Sequence, residues 1–305
     1  MTDAARPFLK WAGGKTQLLR ELVDRRPTPP PDGRATYYEP FLGGGALFFG
    51  LGWHGQAVLN DANAELMQTY EVVRDALDQL VGRLGALQTL YLDSDDEGRK
   101  ELFYKIRGQE PRAPVEIAAR MIFLNKTCFN GLYRVNRKGA FNVPHGRYKT
   151  PRILDYDTLV AASRALGDAT LRSDDFEVAC EPAKAGDFVY FDPPFQPLTK
   201  TSSFTSYTAN DFSEDDQARL KECVDRLAER GVNVMISNSP HPLITGLYRG
   251  SAHFVQYRID ELPARRMINS KGDGRGEITE LMITSYDPAC VQARRGPVAV
   301  VSATS

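Results

Sequence analysis

The segment Val189-Tyr190-Phe191-Asp192-Pro193-Pro194-Phe195 runs an apolar strand into a carboxylate, two prolines and an aromatic ring. Proline fixes φ and cannot continue a helix, so the loop leaves the strand stiffly. It presents one carboxylate, nearby backbone carbonyls and one flat ring to the space beyond the strand end. An exocyclic amine on a nucleobase needs this set, because its lone pair is delocalised into the ring. Two acceptors, the Asp192 carboxylate and the Pro193 carbonyl, can hold both N–H bonds and raise electron density on nitrogen. Phe195 can stack on the base once it has left the duplex. The same string also fits a strand followed by a Pro-Pro turn with a capping Asp, so it needs company.

Company comes from Tyr38-Glu39-Pro40-Phe41-Leu42-Gly43-Gly44-Gly45. A glycine cluster between strand and helix lets the backbone approach a ligand closely. An acid near the end of the next strand usually holds a ribose, and Asp61 lies 18 residues beyond Gly43. A Gly-rich turn with no ligand is the plain alternative. A nicotinamide site is the nearest rival, but Gly43 and Gly45 are followed by Phe48 where that motif needs glycine. Gly13-Gly14-Lys15-Thr16 imitates the end of a phosphate-binding loop, yet position 9 is Leu9, so an ATPase is excluded. Asp174-Asp175-Phe176 could bring a carboxylate and a ring near a cofactor adenine, and equally could be a turn.

These residues need a sheet to position them, and strands alternating with helices predict an α/β fold. Strands are expected at 35–39, 57–59, 170–172, 188–191, 232–236, 254–259 and 278–285, with helices at 16–26, after Gly45 through Phe49, and at 214–229 with Ser213 as N-cap. Between 63 and 128 the strand rhythm stops: Leu66, Tyr70, Val73, Leu77 and Leu80 recur at helical spacing. Ala140 to Val143 reads as a hairpin arm. The expected division is a discontinuous α/β domain, 1–62 and 155–286, interrupted by a helical insert at 63–154, with 287–305 a loose tail.

The 305 residues carry a formal net charge of −1, 42% hydrophobic and 25% charged residues, ordinary for a soluble globular protein. Charge distribution says more. From Arg120 to Arg152 eight Lys or Arg occur with no acid, interleaved with Phe129, Tyr133, Phe141 and Tyr148. Basic side chains mixed with aromatics suit phosphate neutralisation and base stacking, although a solvated basic face is the simpler reading of such a run. Four scattered cysteines argue against a zinc site or a disulfide framework and suit a reducing cytoplasm. No apolar run reaches a membrane span, and the first residues hold no signal core.

Together these segments resemble the DNA adenine methyltransferase (Dam) family, in which a target-recognition insert separates cofactor and catalytic motifs. The matching stretches run from Phe8-Leu9-Lys10-Trp11-Ala12-Gly13-Gly14-Lys15 and Glu39 to Gly45, through Asp61, Asn130 to Arg134, Phe141 to Pro144, Gly146 to Lys149 and Asp192 to Phe195, to Phe204-Thr205-Ser206-Tyr207 and Ile236-Ser237-Asn238, spanning about residues 8 to 286 in family order. The resemblance implies a Rossmann-like S-adenosylmethionine-dependent sheet with a helical and hairpin recognition insert. It implies direct methyl transfer to adenine N6, giving S-adenosylhomocysteine, with no covalent enzyme intermediate and no metal. By position, Trp11, Lys15, Glu39, Phe41, Gly43, Asp61, Asp175, Phe176 and Asp192 would line the cofactor pocket. Asp192, Pro193, Pro194 and Phe195 would grip the flipped adenine, under a loop carrying Phe204 and Tyr207.

On the DNA side, Lys10, Leu132, Arg134, Pro144 and Tyr148 match base-reading positions, Phe129 an aromatic wedge, and Asn136, Asn142 and Arg147 phosphate contacts. They imply GATC in double-stranded DNA. Phe195 and Phe129 stand where the family usually has tyrosine; each keeps its stacking face and loses a hydroxyl. Lys126-Thr127-Cys128 also departs from the family's usual stretch. The expected enzyme is a cytoplasmic, nucleoid-associated monomer, with a cognate restriction nuclease, if one exists, acting separately. Rival readings are an N4-cytosine methyltransferase, an enzyme acting on RNA or a protein amide, and a DNA-binding protein without catalysis.

Overall fold

A computed structural model describes residues 4–28, 33–53, 55–136, 139–196, 212–249, 256–265 and 277–288. Among them β1 (Tyr37–Glu39), β2 (Ala57–Asn60), β3 (Thr170–Arg172), β4 (Phe188–Phe191), β5 (Asn233–Asn238), β6 (Arg258–Arg265) and β7 (Glu277–Thr284) form one sheet in the order β3-β2-β1-β4-β5-β7-β6. β1 to β5 run parallel, whereas β7 is antiparallel to both β5 and β6. Side chains alternate across the sheet with the two-residue period of a strand. Tyr37, Phe188 and Tyr190 join one core cluster, while Tyr38, Val189 and Phe191 join the other. Helices therefore cover both faces, and β4 is apolar at every position as a doubly covered strand must be.

On the first face α1 (Leu19–Arg25), α2 (Ala46–Leu51), α3 (Ala64–Asp75), α4 (Leu77–Asp93), α5 (Asp96–Arg107), α6 (Pro114–Thr127) and α7 (Tyr156–Leu166) surround a core built from Tyr37, Leu59, Leu66, Tyr70, Leu84, Phe103 and Phe123. The helical block thus shares its core with the sheet. On the second face α8 (Phe176–Cys180), α9 (Glu214–Glu229) and α10 (Pro242–Arg249) bury Phe176, Val224, Leu227 and Ile244. Among the described residues no helix is long and apolar enough to cross a membrane.

Several boundaries differ from the sequence reading for identifiable reasons. The expected helix 16–26 begins as a 3-10 turn, Lys15–Gln17, because Leu18 adopts φ −94° and ψ 2°. The helical run from 63 breaks at Ala76 (φ −136°), although its apolar spacing continues across the break. The expected strand 254–259 is instead β6, beginning at Arg258, while Phe254 lies outside the described residues. β6 is an edge strand with Pro263 in it, a residue tolerated there because an edge lacks one ladder. The arm at 140–143 is an isolated bridge, Val135 to Phe141. The α9 start is as expected: the Ser213 hydroxyl accepts from the Asp216 N–H (3.1 Å) and the Asp216 carboxylate from the Ser213 N–H (2.9 Å).

Strand order reverses between β1 and β4, which opens a crevice outside their carboxyl ends, the general ligand position of open α/β sheets. Asn60, the last residue of β2, fixes two walls of that crevice. Its Nδ2 donates to the Pro40 carbonyl (3.0 Å) and the Asp174 carbonyl (3.1 Å), and its Oδ1 accepts from the Asp174 N–H (2.8 Å). Asn60→Ala should leave buried backbone groups unpaired and cost about 2–3 kcal/mol. Urea unfolding measures this, and a loss below about 0.5 kcal/mol would mean that water replaces the side chain.

Candidate active site

Asp192 ends β4 and meets Lys15 from the N-terminal turn. The Lys15 ammonium is 2.9 Å from Asp192 Oδ1 and 3.5 Å from Glu280 Oε2 on β7. It also donates to the Gly13 carbonyl (3.0 Å) and lies 4.4 Å from the centre of the Phe195 ring. Burial would lower the Lys15 pKa, but the two carboxylates outweigh it and the net direction is upward. Burial raises the Asp192 carboxyl to about 6, with Lys15 opposing the rise and Glu280 adding to it. Near neutral pH the site therefore offers an ionised carboxylate beside an ammonium and an aromatic face.

The loop after Asp192 is held by side chains from α9 and from the end of β5. Gln217 donates to the Pro194 carbonyl (3.1 Å) and accepts from Asn238 (3.1 Å), while the Ser239 hydroxyl donates to the Gln196 carbonyl (2.8 Å). Among the described residues nothing donates to the Pro193 carbonyl. Phe204 and Tyr207 lie outside the described residues.

The glycine loop lies beside this carboxylate. Gly43 and Gly45 adopt φ +49° and +67°, and a Cβ at Gly43 would come within 2.7 Å of the Trp11 ring, so neither the turn nor the packing admits a side chain. Trp11 stacks on Tyr133 (5.0 Å, 21°). Asp61 accepts from the N–H groups of Gly43 and Asn63, both at 2.9 Å, and burial raises its pKa. Glu39 is buried and accepts from the Tyr37 hydroxyl (2.7 Å) and the Phe48 N–H (3.1 Å); burial lifts its pKa to about 8. Phe41 stacks on Phe176 (5.5 Å, 28°), and Phe212 meets Phe41 edge-on (5.6 Å). Asp175 caps α8 through the Glu177 N–H (3.0 Å) and pairs with Arg219, whose guanidinium covers the Phe176 ring at 4.6 Å.

A second group of expected residues gathers around Asn125. Its side chain accepts from the Lys10 N–H (2.9 Å) and donates to the carbonyls of Lys10 (2.7 Å) and Gly131 (3.1 Å). This clamp holds the N-terminal segment against the turn Phe129–Gly131, and Lys10 Nζ approaches the Tyr148 ring at 5.7 Å. Phe129 is 46% exposed, unusual for a large apolar ring, and its N–H donates to the Pro144 carbonyl (2.9 Å). Arg134 is exposed and donates to Asn142 Oδ1 (2.7 Å); Asn136 accepts from the Ala140 N–H (3.1 Å). Arg147 is exposed and Leu132 half-buried. The basic run is not uniform: Arg120 is tied inward to Glu65 (3.0 Å) and to the carbonyls of Ile106 and Arg107, and Arg137 and Lys138 lie outside the described residues.

Sequence reasoning missed Asn60, Asn125, Phe212, Gln217, Arg219 and Glu280. One carried a signal: Glu280 directly precedes the apolar run Leu281-Met282-Ile283, and a carboxylate at the entry to a buried stretch needs a partner. The others act through contacts far apart in sequence.

A family model described as D12 class N6 adenine-specific DNA methyltransferase matches residues 11–266. The chain is 45% identical over 292 residues to the Type II methyltransferase M.MjaIII of Methanocaldococcus jannaschii, covering 92% of this chain and 99% of that one. It is 42% identical over 289 residues to the Type II methyltransferase M1.LlaDCHI of Lactococcus lactis subsp. cremoris, covering 92% and 95%. It is 33% identical over 298 residues to the DNA adenine methylase of Escherichia coli strain K12, covering 94% and 97%.

Glu39 yields a pH prediction. Its folded pKa lies above the unfolded value of 4.5, so the stability it contributes is present at low pH and is lost as pH rises toward about 8. Wild-type unfolding free energy should therefore fall between about pH 4.5 and 8, and Glu39→Gln should flatten that fall. Urea melts across this range check it; parallel curves would remove Glu39 as the cause.

Proposed function

The chain belongs to the D12 class of N6-adenine-specific DNA methyltransferases, and from that premise we propose that it methylates adenine within GATC on a base turned out of double-stranded DNA. Enzymes of this family use S-adenosylmethionine, which supplies a methyl group on a sulfonium and is left as S-adenosylhomocysteine. The Lys15–Asp192 pair carries the catalytic reading: a carboxylate in the crevice is kept ionised near neutral pH by an ammonium 2.9 Å away. Asp192 accepts one N–H of the target amine and the Pro193 carbonyl the other, while Pro194 stiffens the loop and Phe195 stacks on the ring. As the N–C bond forms and the methyl–sulfur bond breaks, positive charge grows on N6, and a carboxylate bonded to its N–H stabilises that charge. The methylated amine then gives up one proton to solvent. Methyl transfer then needs no metal and no covalent bond to the enzyme.

The residues present fit the cofactor. The Gly43 loop admits close backbone approach, the Asp61 carboxylate suits ribose hydroxyls, and the Phe41–Phe176 pair suits an adenine ring. Trp11, Lys15, Glu39 and Asp175 complete the pocket on this reading, with Asp175 shared with Arg219.

Phe129, Leu132, Arg134, Asn136, Asn142, Pro144, Arg147 and Tyr148, on an insert at 63–154, form the DNA face together with Lys10 from the catalytic domain of 1–62 and 155–286. The cluster around Asn125 and the exposed Phe129 support it, as does the similarity to proteins named DNA adenine methylase. The enzyme acts as a monomer in the cytoplasm, on nucleoid DNA. The Type II names of two relatives favour a restriction nuclease as a separate partner.

Asp192→Ala should abolish methyl transfer while leaving the fold and most cofactor affinity, and Phe195→Tyr should remain close to wild type because stacking is preserved. Transfer of labelled methyl groups to duplex DNA reads both. Asp192→Ala activity within about tenfold of wild type would take Asp192 out of this role.

Arg134 tests the sequence choice. A guanidinium pairs with guanine O6 and N7, discriminating by about 1–3 kcal/mol. Arg134→Ala should lose discrimination at one G·C pair of GATC in methylation profiles at fixed salt. A uniform loss across all sites, with a flatter salt dependence, would make Arg134 a phosphate contact. A wild-type profile centred on another sequence would overturn GATC.

A further inference from the structure

Glu280 projects from β7 into the crevice with its side chain 13% exposed. Its Oε2 is buried without a hydrogen-bond partner among the described residues, 3.5 Å from the Lys15 ammonium. Lys15 bonds closely to Asp192, at 2.9 Å, so one ammonium answers two carboxylates.

We propose that Glu280 is a positioning residue for Asp192: it shares the Lys15 ammonium, so that Lys15 leans onto Glu280 when the target amine takes the Asp192 oxygen. The proposal rests on reading Asp192 as the carboxylate that binds that amine. An ammonium is a stronger partner for a carboxylate than a neutral amine, so Lys15 competes with the substrate for Asp192. Driving Lys15 off with no second acceptor would strand a buried cation, which is costly. Glu280 removes that cost by offering an oxygen with no other hydrogen-bond partner among the described residues. The Gly13 carbonyl, 3.0 Å from Nζ, keeps the ammonium within reach of both carboxylates, so that it pivots and does not leave.

Titratable groups face Asp192 from four elements: Lys15 from the N-terminal turn, Glu280 from β7, Glu39 and Tyr37 from β1, and Tyr190 from β4. Of these, Lys15 favours the ionised carboxylate and Glu280 opposes it. Neutralising Glu280 therefore has two effects. Lys15 tightens on Asp192, which slows turnover, and the acid limb that reports Asp192 ionisation moves to lower pH.

The test uses the full-length enzyme, a duplex containing its mapped target site, and labelled S-adenosylmethionine. E280Q should lower kcat by about tenfold or more, move the acid limb of kcat/KM to lower pH, and leave cofactor affinity by calorimetry within about threefold of wild type. E280D, which keeps the charge, should restore the wild-type limb, so it carries the test if E280Q folds poorly. Because Glu280 acts through Lys15, K15Q/E280Q should be no slower than K15Q alone. An E280Q enzyme with wild-type kcat and limb, an E280D enzyme with a displaced limb, or multiplied losses in the double variant would overturn the proposal. With Asp192→Ala inactive, any of these defeats the Glu280 role alone. An active Asp192→Ala would defeat the underlying reading of Asp192 instead.

Discussion

A buried ammonium must be answered by charge at close range, and Lys15, 5% exposed, imposes that demand on the crevice. Its partners come from distant parts of the chain: Asp192 at the end of β4 and Glu280 within β7. Meeting the demand requires the N-terminal turn, the parallel half of the sheet and its antiparallel extension to adopt one geometry together. The loop that carries Asp192 is then braced from behind by Gln217, itself oriented by Asn238. The carboxylate is accordingly held on both sides of the sheet's reversal point, by charge in front and by amide hydrogen bonds behind.

The segment Lys10 to Lys15 couples three pieces of machinery within six residues. Lys10 is fastened by Asn125 to the turn bearing Phe129, Trp11 lies between the Gly43 loop and Tyr133, and Lys15 meets Asp192. A displacement of the turn bearing Phe129 would be felt first by the backbone of Lys10, and through it by the stacked indole and the ammonium. The helical block and the sheet share one hydrophobic core as well, so such a displacement would be passed on through packed side chains.

The strand end at Asp192 and the glycine loop were legible because their signals are local. A strand ending in Asp-Pro-Pro-Phe, a glycine cluster before a helix and the Ser213 capping box each announce themselves within a few residues. The mixed α/β class followed from periodicity, and the edges of β6 did not, since that strand takes its order from β7 and not from its own apolar pattern. Asn60, Asn125 and Gln217 were invisible because an amide side chain shows its purpose only through what it touches, here up to 115 residues away. The basic run illustrates the opposite error. Sequence alone cannot distinguish Arg120, turned inward to Glu65, from Arg134, turned to solvent.

The antiparallel end of the sheet has a consequence for biosynthesis. β7 enters between β5 and β6, supplies Glu280, and is followed at once by Tyr286, whose hydroxyl reaches back to the Arg25 carbonyl across 261 residues. During translation the glycine loop, the turn Phe129–Gly131 and even Asp192 leave the ribosome well before that strand does. The nascent chain can collapse locally, but the long-range pairings that close the crevice are the last to form. A polypeptide released before β7 would carry every motif legible in the sequence and still lack one of the two carboxylates that answer Lys15. The charge cluster is thus completed only once β7 has been made and has paired.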